Sequence, residues 1–209
     1  MHSAFTYVLP CNGEAIIKIG FSREPMRRFE TFHPRYFEIF DIDEAFLVES
    51  ESVRDARNLE TLLKRGVALH NAPQPLTVNA AAGGITEWYR GAYAVVRESA
   101  SRYAAEMGLV VHAPLRQWLQ HKLAGHAPTL YEWSAAAQAV MAAEFLDTRN
   151  DEGARRFRRR IQDRLDAFAA VGIDIDAHLA PGFQDMLSRG LAFSMDAGVE
   201  RLEGQSKPG

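Results

Sequence analysis

The first hundred residues alternate short apolar runs with breaks. Phe5–Leu9, "FTYVL", mixes β-branched and aromatic residues and stops at Pro10, which predicts a strand. Asn12-Gly13 is a strong tight-turn signal, and Ala15–Ile19, "AIIKI", reads as the returning strand of a hairpin. Ser22 is placed to cap a helix, Pro25 suits its first turn, and Met26, Phe29 and Phe32 give it an apolar side. His33-Pro34 ends that helix. The alternation of Phe37 and Ile39, followed by Ala45-Phe46-Leu47-Val48, predicts one or two further strands. Val53, Ala56, Leu59, Leu62 or Leu63, and Val67 then recur every three to four residues, the period of an amphipathic helix. A loop-rich stretch holds a short strand near Thr86–Tyr89, and a helix runs from Ala92 to Met107.

Strands interleaved with helices predict an α+β domain over residues 1–107. Beyond it the periodicity becomes helical, so residues 108–202 read as a mainly α-helical domain, with a polar, disordered tail at 203–209. In the second region Phe157, Ile161, Leu165 and Phe168 make one apolar stripe. Arg155, Arg156, Arg158, Arg159 and Arg160 project elsewhere, Asp151 and Glu152 lie in the first turn, and Gly172 lies past the end. Such a helix can grip a nucleic-acid backbone, for which Arg155, Arg156 and Arg159 are the candidates. Equally, its arginines can form a solvated face paired with nearby acids. In pattern alone the region resembles the winged-helix regions of plasmid replication initiators, with "IDIDAHLAPGF" as a wing or an irregular connection.

Composition narrows the partner. The 209 residues carry a net charge of -3, so a nucleic-acid surface has to be a local patch. Cys11 is the single cysteine, which excludes an internal disulfide and fits a reducing cytoplasm. No signal-peptide pattern opens the chain and no window approaches the ~20 apolar residues of a membrane span, so a cytoplasmic protein is expected. His112, His121, His126 and His178 lack zinc-ligand spacing.

Five elements in the first region carry a resemblance: Phe5-Thr6-Tyr7, Lys18-Ile19-Gly20, Arg28 in the next helix, Glu60 in "LETLL", and Glu87-Trp88-Tyr89 after "GGIT". In this order they resemble the GIY-YIG nuclease superfamily over residues 4–95. The closer similarity is to the branch with KIG and an E-W-F-like tripeptide, described as a phage-type DNA-binding domain. The resemblance implies a small, mixed or antiparallel three-stranded sheet flanked by helices. It implies catalytic roles for Tyr7, Lys18, Arg28 and Glu60, with Glu60 holding one magnesium or manganese ion. DNA is the implied partner, in a phage or plasmid setting. Phe32 stands where relatives carry His or Tyr, His33 being one step off. Lys64 stands where the branch often carries His, with His70 further on, and Asn71 is the candidate for a family asparagine.

The chemistry suits these residue types. A guanidinium such as Arg28 can engage two phosphate oxygens together, and a carboxylate such as Glu60 suits magnesium, which keeps several waters. By analogy Tyr7 holds or deprotonates the attacking water, provided Lys18 or Arg28 lowers its pKa. Lys18 is alternatively a phosphate contact. Arg23, Arg27 and His33 are candidates for nucleic-acid contacts, with His70 and Glu87 as supporting residues. Plainer readings stand beside these: Tyr7 as a packed strand residue, Lys18 as a solvated strand charge, Glu60 paired with Arg57 or Lys64, His70 as a loop residue and Trp88 as a core anchor. Three functions follow: a metal-dependent DNA endonuclease with a helical DNA-binding domain, a DNA-binding protein that does not cleave, or an unrelated α+β scaffold joined to a helical interaction domain.

Overall fold

The computed structural model describes residues 3–78, 84, 86–147 and 152–187. They fall into two compact units, Met1–His121 and Lys122–Gly209.

The first unit is built on the predicted hairpin. β1 (Ala4–Pro10) and β2 (Ile16–Ser22) pair antiparallel around the turn at Gly13, whose positive φ needs glycine. The register sets Tyr7 opposite Gly20 and Leu9 opposite Lys18. α1 (Pro25–Phe32) follows, with Pro25 at its first position. Its cap differs from expectation. Ser22 stays in β2, and its hydroxyl accepts from the Glu24 amide at 3.0 Å.

The alternation at Phe37 and Ile39 does not form a strand. Tyr36–Ile39 is a single helical turn, α2. Tyr36 is buried and packs on Phe29 at 5.7 Å, and this aromatic contact outweighs a two-residue periodicity. β3 (Phe46–Ser50) then pairs with β1. α3 (Val53–Gly66) is capped by Ser52, whose hydroxyl accepts from the Asp55 amide at 3.2 Å. β4 (Asn71–Ala72), β5 (Trp88–Arg90), α4 (Tyr93–Met107) and β6 (Val110–His112) complete the unit.

The sheet therefore has six strands, in the order β4-β5-β2-β1-β3-β6, all antiparallel, rather than the three expected. β4, β5 and β6 are two or three residues long, too short to leave a periodicity signal. β6 pairs with β3, so the sheet continues past residue 107. The first turns of the next helix, α5 (Leu115–Ala124), also belong to this unit: the Leu115 amide donates to the Ala45 carbonyl, and Trp118 packs edge-on against Phe5.

The two sheet faces differ. Strand alternation puts Val8, Ile17, Ile19, Phe46, Val48 and Tyr89 on one face, where they pack with Leu59 and Leu63 of α3 and with Val96, Ala100 and Ala104 of α4. The opposite face carries Tyr7, Lys18, Gly20 and Trp88, lying against Phe29, Phe32 and Phe40.

In the second unit, α6 (Leu130–Asp147) and α7 (Glu152–Ala170) are followed by a 3₁₀ turn at Asp176–His178. Among its described residues there is no strand, and "IDIDAHLAPGF" is an irregular connection with no wing strand. Ile161, Leu165 and Phe168 are buried as the stripe predicts. The Ser134 hydroxyl accepts from the Ala180 amide at 2.8 Å, tying that connection to α6. The tail at 203–209 lies outside the described residues. No described helix is long and apolar enough to cross a membrane.

Candidate functional site

Tyr7 lies across Gly20 on the neighbouring strand. A Cβ at Gly20 would overlap the Tyr7 hydroxyl and ring, which gives the glycine of "KIG" a physical reason. Phe29 and Phe32 of α1 meet the Tyr7 ring edge-on at 5.6 and 6.1 Å and fix its plane. One turn before Phe32, Arg28 donates from Nε to the Tyr7 hydroxyl at 3.4 Å, and its guanidinium lies 4.6 Å over the Phe32 ring. Phe32 thus stacks under the arginine, which a His or Tyr in that position need not do.

Lys18 is fully buried on the same face as Tyr7. Its ammonium donates to the Gly84 carbonyl at 2.7 Å and to Glu87 Oε2 at 2.8 Å, and lies 5.1 Å from the Trp88 ring centre. Lys18 is therefore enclosed and partnered, and the reading of it as a solvated strand charge does not hold.

Glu87 immediately precedes β5, which pairs with β2 along Ile16–Lys18, and the Ile19 amide donates to the Glu87 carbonyl at 3.2 Å. Beside it α3 brings two more charges. The Thr6 hydroxyl donates to the Ala56 carbonyl at 2.9 Å and anchors α3 on β1. One turn on is Glu60, and one turn further is Lys64. The Lys64 ammonium donates to Glu60 Oε1 at 2.6 Å and to Glu87 Oε1 at 2.5 Å. A continuous chain, Lys18–Glu87–Lys64–Glu60, so links the aromatic face to α3.

Burial sets the proton equilibria. Tyr7 is pushed up to about 12, chiefly by burial, and the Arg28 contact only partly offsets this. Arg28 does pull the Tyr7 pKa down, as expected, but desolvation is larger, the net shift is upward, and Tyr7 rests protonated. Burial also pushes Lys18 down to about 8, against the opposing pull of Glu87. For Glu87, burial acts against its charge, but Lys18 and Lys64 hold the carboxyl below its ordinary range. For Lys64, burial is likewise outweighed by Glu60 and Glu87, and its pKa is raised.

The divalent ion expected at Glu60 meets an obstacle in this arrangement. The Lys64 ammonium sits between Glu60 and Glu87, where a metal would draw on both carboxylates. Among the described residues no group of three or more His, Cys, Asp or Glu converges as a metal site. The residues as arranged do not fit a resident divalent ion.

The remaining candidates lie apart from this network. Arg23 and Arg27 are exposed, and Arg27 pairs with Glu24 at 3.4 Å. His33 Nδ1 accepts from the Arg35 amide at 3.0 Å as a local turn contact. His70 Nδ1 donates to the Arg90 carbonyl at 3.0 Å, the loop role weighed for it from sequence. Asn71 donates to the Thr86 and Trp88 carbonyls and braces the strand that follows Glu87. Burial pushes the Cys11 thiol up to about 12, so it is inert at neutral pH. In the second unit Arg156 and Arg159 are exposed, Arg156 pairing with Glu152 at 3.0 Å, while Arg155 is half-buried. Sequence reasoning missed Lys64 as a member of the site. The signal was its four-residue spacing from Glu60, which could not reveal the second bond to Glu87, 23 residues away.

The family model of the T5orf172 domain matches residues 4–104. This corrects the resemblance drawn from sequence, because T5orf172 is a different family from the GIY-YIG nucleases. Lys18 and Gly20 have local physical reasons in the fold, a buried ion pair and the Tyr7 ring, so a tripeptide by itself does not separate one family from another. T5orf172 is a phage-type, DNA-binding and nuclease-like domain, which supports a DNA-interacting role for this region. No curated protein and no solved structure matches the chain.

Proposed function

We propose that the first unit binds the DNA backbone at the Tyr7–Arg28 pair and hydrolyses a phosphodiester there. The observation that supports this reading is that the Tyr7–Arg28 pair lies within electrostatic reach of the hydrogen-bonded chain Lys18–Glu87–Lys64–Glu60. Burying several charges is expensive, and a well-packed apolar replacement is often as stable or more so. Titratable groups shifted by burial and held by specific charge partners are the pattern that functional sites favour.

Each group has a distinct part. The Arg28 fork takes two non-bridging phosphate oxygens and stabilises the charge that builds on them. The partly exposed Lys64 supplies a second cation. Glu60, whose Oε1 is held by Lys64, accepts the proton of the attacking water at Oε2. As the water oxygen bonds to phosphorus, the P–O bond to the leaving sugar oxygen breaks; Tyr7, kept protonated, hydrogen-bonds that oxygen, which takes its proton from solvent. Lys18 fixes Glu87, and Glu87 fixes Lys64. Exposed Arg23 and Arg27 on the neighbouring surface steer the polyanion, and Arg155, Arg156 and Arg159 of the second unit add backbone contacts.

The test is nicking of supercoiled plasmid by the full chain, with magnesium and separately with chelator, wild type against Arg28→Ala. The reading expects wild-type nicking that falls about 100-fold or more in the variant. Wild-type protein that leaves the plasmid intact in both conditions, or equal nicking by both proteins, rejects it. A second reading, DNA binding without cleavage, is favoured by the engagement of Lys18 and Lys64 within the protein. It expects salt-sensitive plasmid retention with no nicked product.

A further inference from the structure

We infer that Lys64 is the resident cation of the Glu60–Glu87 pair and takes the place of a divalent ion in this domain. Two carboxylates from separate elements, α3 and the residue preceding β5, turn one oxygen each toward a single ammonium, at 2.6 and 2.5 Å. Tetrahedral –NH₃⁺ has three donors, and two are used here. Glu60 is buried, and Lys64 and Glu87 are half-buried, so bulk water screens the pair poorly. The other oxygen of Glu87 is taken by Lys18, a second internal cation. The carboxylate charge is therefore matched from within the chain, and a divalent ion would have to expel a well-bonded ammonium from the same space. The spacing Glu60-x-x-x-Lys64 along one helix face makes this built in: the cation is delivered by the helix that delivers its first partner.

The consequence is testable without DNA, so its outcome is independent of whether the site cleaves. Manganese binding to the full chain is measured from the electron-paramagnetic signal of free Mn²⁺. Wild type is compared with Lys64→Met, which keeps the apolar stem and removes the charge, and with Lys64→Met/Glu60→Gln. Lys64→Met is expected to bind Mn²⁺ about tenfold or more tightly than wild type, and the added Glu60→Gln to abolish that gain. Lys64→Arg is expected to behave as wild type. Wild type that binds Mn²⁺ weakly or not at all while Lys64→Met binds it supports the inference; equal Mn²⁺ affinity in wild type and Lys64→Met, or a failure of Lys64→Met to bind, overturns it. A second measurement avoids the variants altogether. In isotope-labelled wild type, the side-chain resonances of Lys64 and Glu60 should keep their line widths as Mn²⁺ is added. Selective paramagnetic broadening of those two residues would show an ion seated between the carboxylates and overturn the inference.

Discussion

The two faces of one sheet follow opposite rules. On the face covered by α3 and α4, Leu59 and Leu63 join Val8, Ile17 and Phe46 in an apolar cluster, and the buried Thr6 hydroxyl is satisfied by the Ala56 carbonyl of α3. On the other face, aromatic rings enclose a tyrosine hydroxyl and a lysine, and arginine and carboxylates crowd the edge. The first face gains free energy by removing hydrocarbon from water. The second spends part of that gain on desolvating charge. The difference points to where chemistry is worth testing: a buried cation with specific partners, beside a tyrosine hydroxyl and an arginine.

Substitutions can break or sharpen that contrast. The largest expected effect is on the polar face. Arg28→Ala should lower plasmid nicking about 100- to 1,000-fold while shifting the melting temperature by only a few degrees. A large fall in melting temperature instead would make Arg28 structural. Leu59→Ala, on the apolar face, should do the reverse. It is expected to cost about 3 kcal/mol in urea unfolding and leave nicking per folded molecule unchanged.

Gly20→Ala should couple the two properties. Its Cβ overlaps the Tyr7 ring, so about 1–3 kcal/mol of stability and the position of the hydroxyl are lost together. A variant as stable and as active as wild type would show that Tyr7 does not need its place over Gly20.

Lys18 predicts a pH dependence. Its folded pKa, about 8, lies below its unfolded value of 10.5, so between those pH values the unfolded chain holds more protons. Stability should therefore rise with pH across that window, by about 3 kcal/mol at most. Lys18→Met should flatten the rise, measured by urea unfolding at pH 7.5 and 10. An unchanged slope would assign the effect elsewhere. The smallest effect belongs to the exposed arginines. Arg27→Ala should weaken DNA retention uniformly across sequences and reduce the log–log salt slope by about 1.

Much of this molecule was legible along the chain. The Asn12-Gly13 hairpin, the Pro25 helix start, the Ser52-capped amphipathic helix and the helix from Tyr93 all rest on local signals: turn chemistry, caps and periodicity. The choice of Tyr7, Lys18, Arg28 and Glu60 as catalytic candidates has another source, a family resemblance, and the family drawn from it is not the one that matches. Strands of two or three residues were invisible, because they carry too few positions to show a period. Tyr36–Ile39 was misread because two alternating apolar residues fit a strand as well as a turn of helix.

What the sequence by itself determined was which residues could form each element and which could carry charge. Folding through space set the rest: that Glu87 meets both Lys18 and Lys64, and that Tyr7 rests protonated. The physical reason is range. Backbone preference is settled within a few neighbouring residues. The contest between desolvation and Coulomb attraction is settled through space, by groups that the chain keeps dozens of residues apart until it folds.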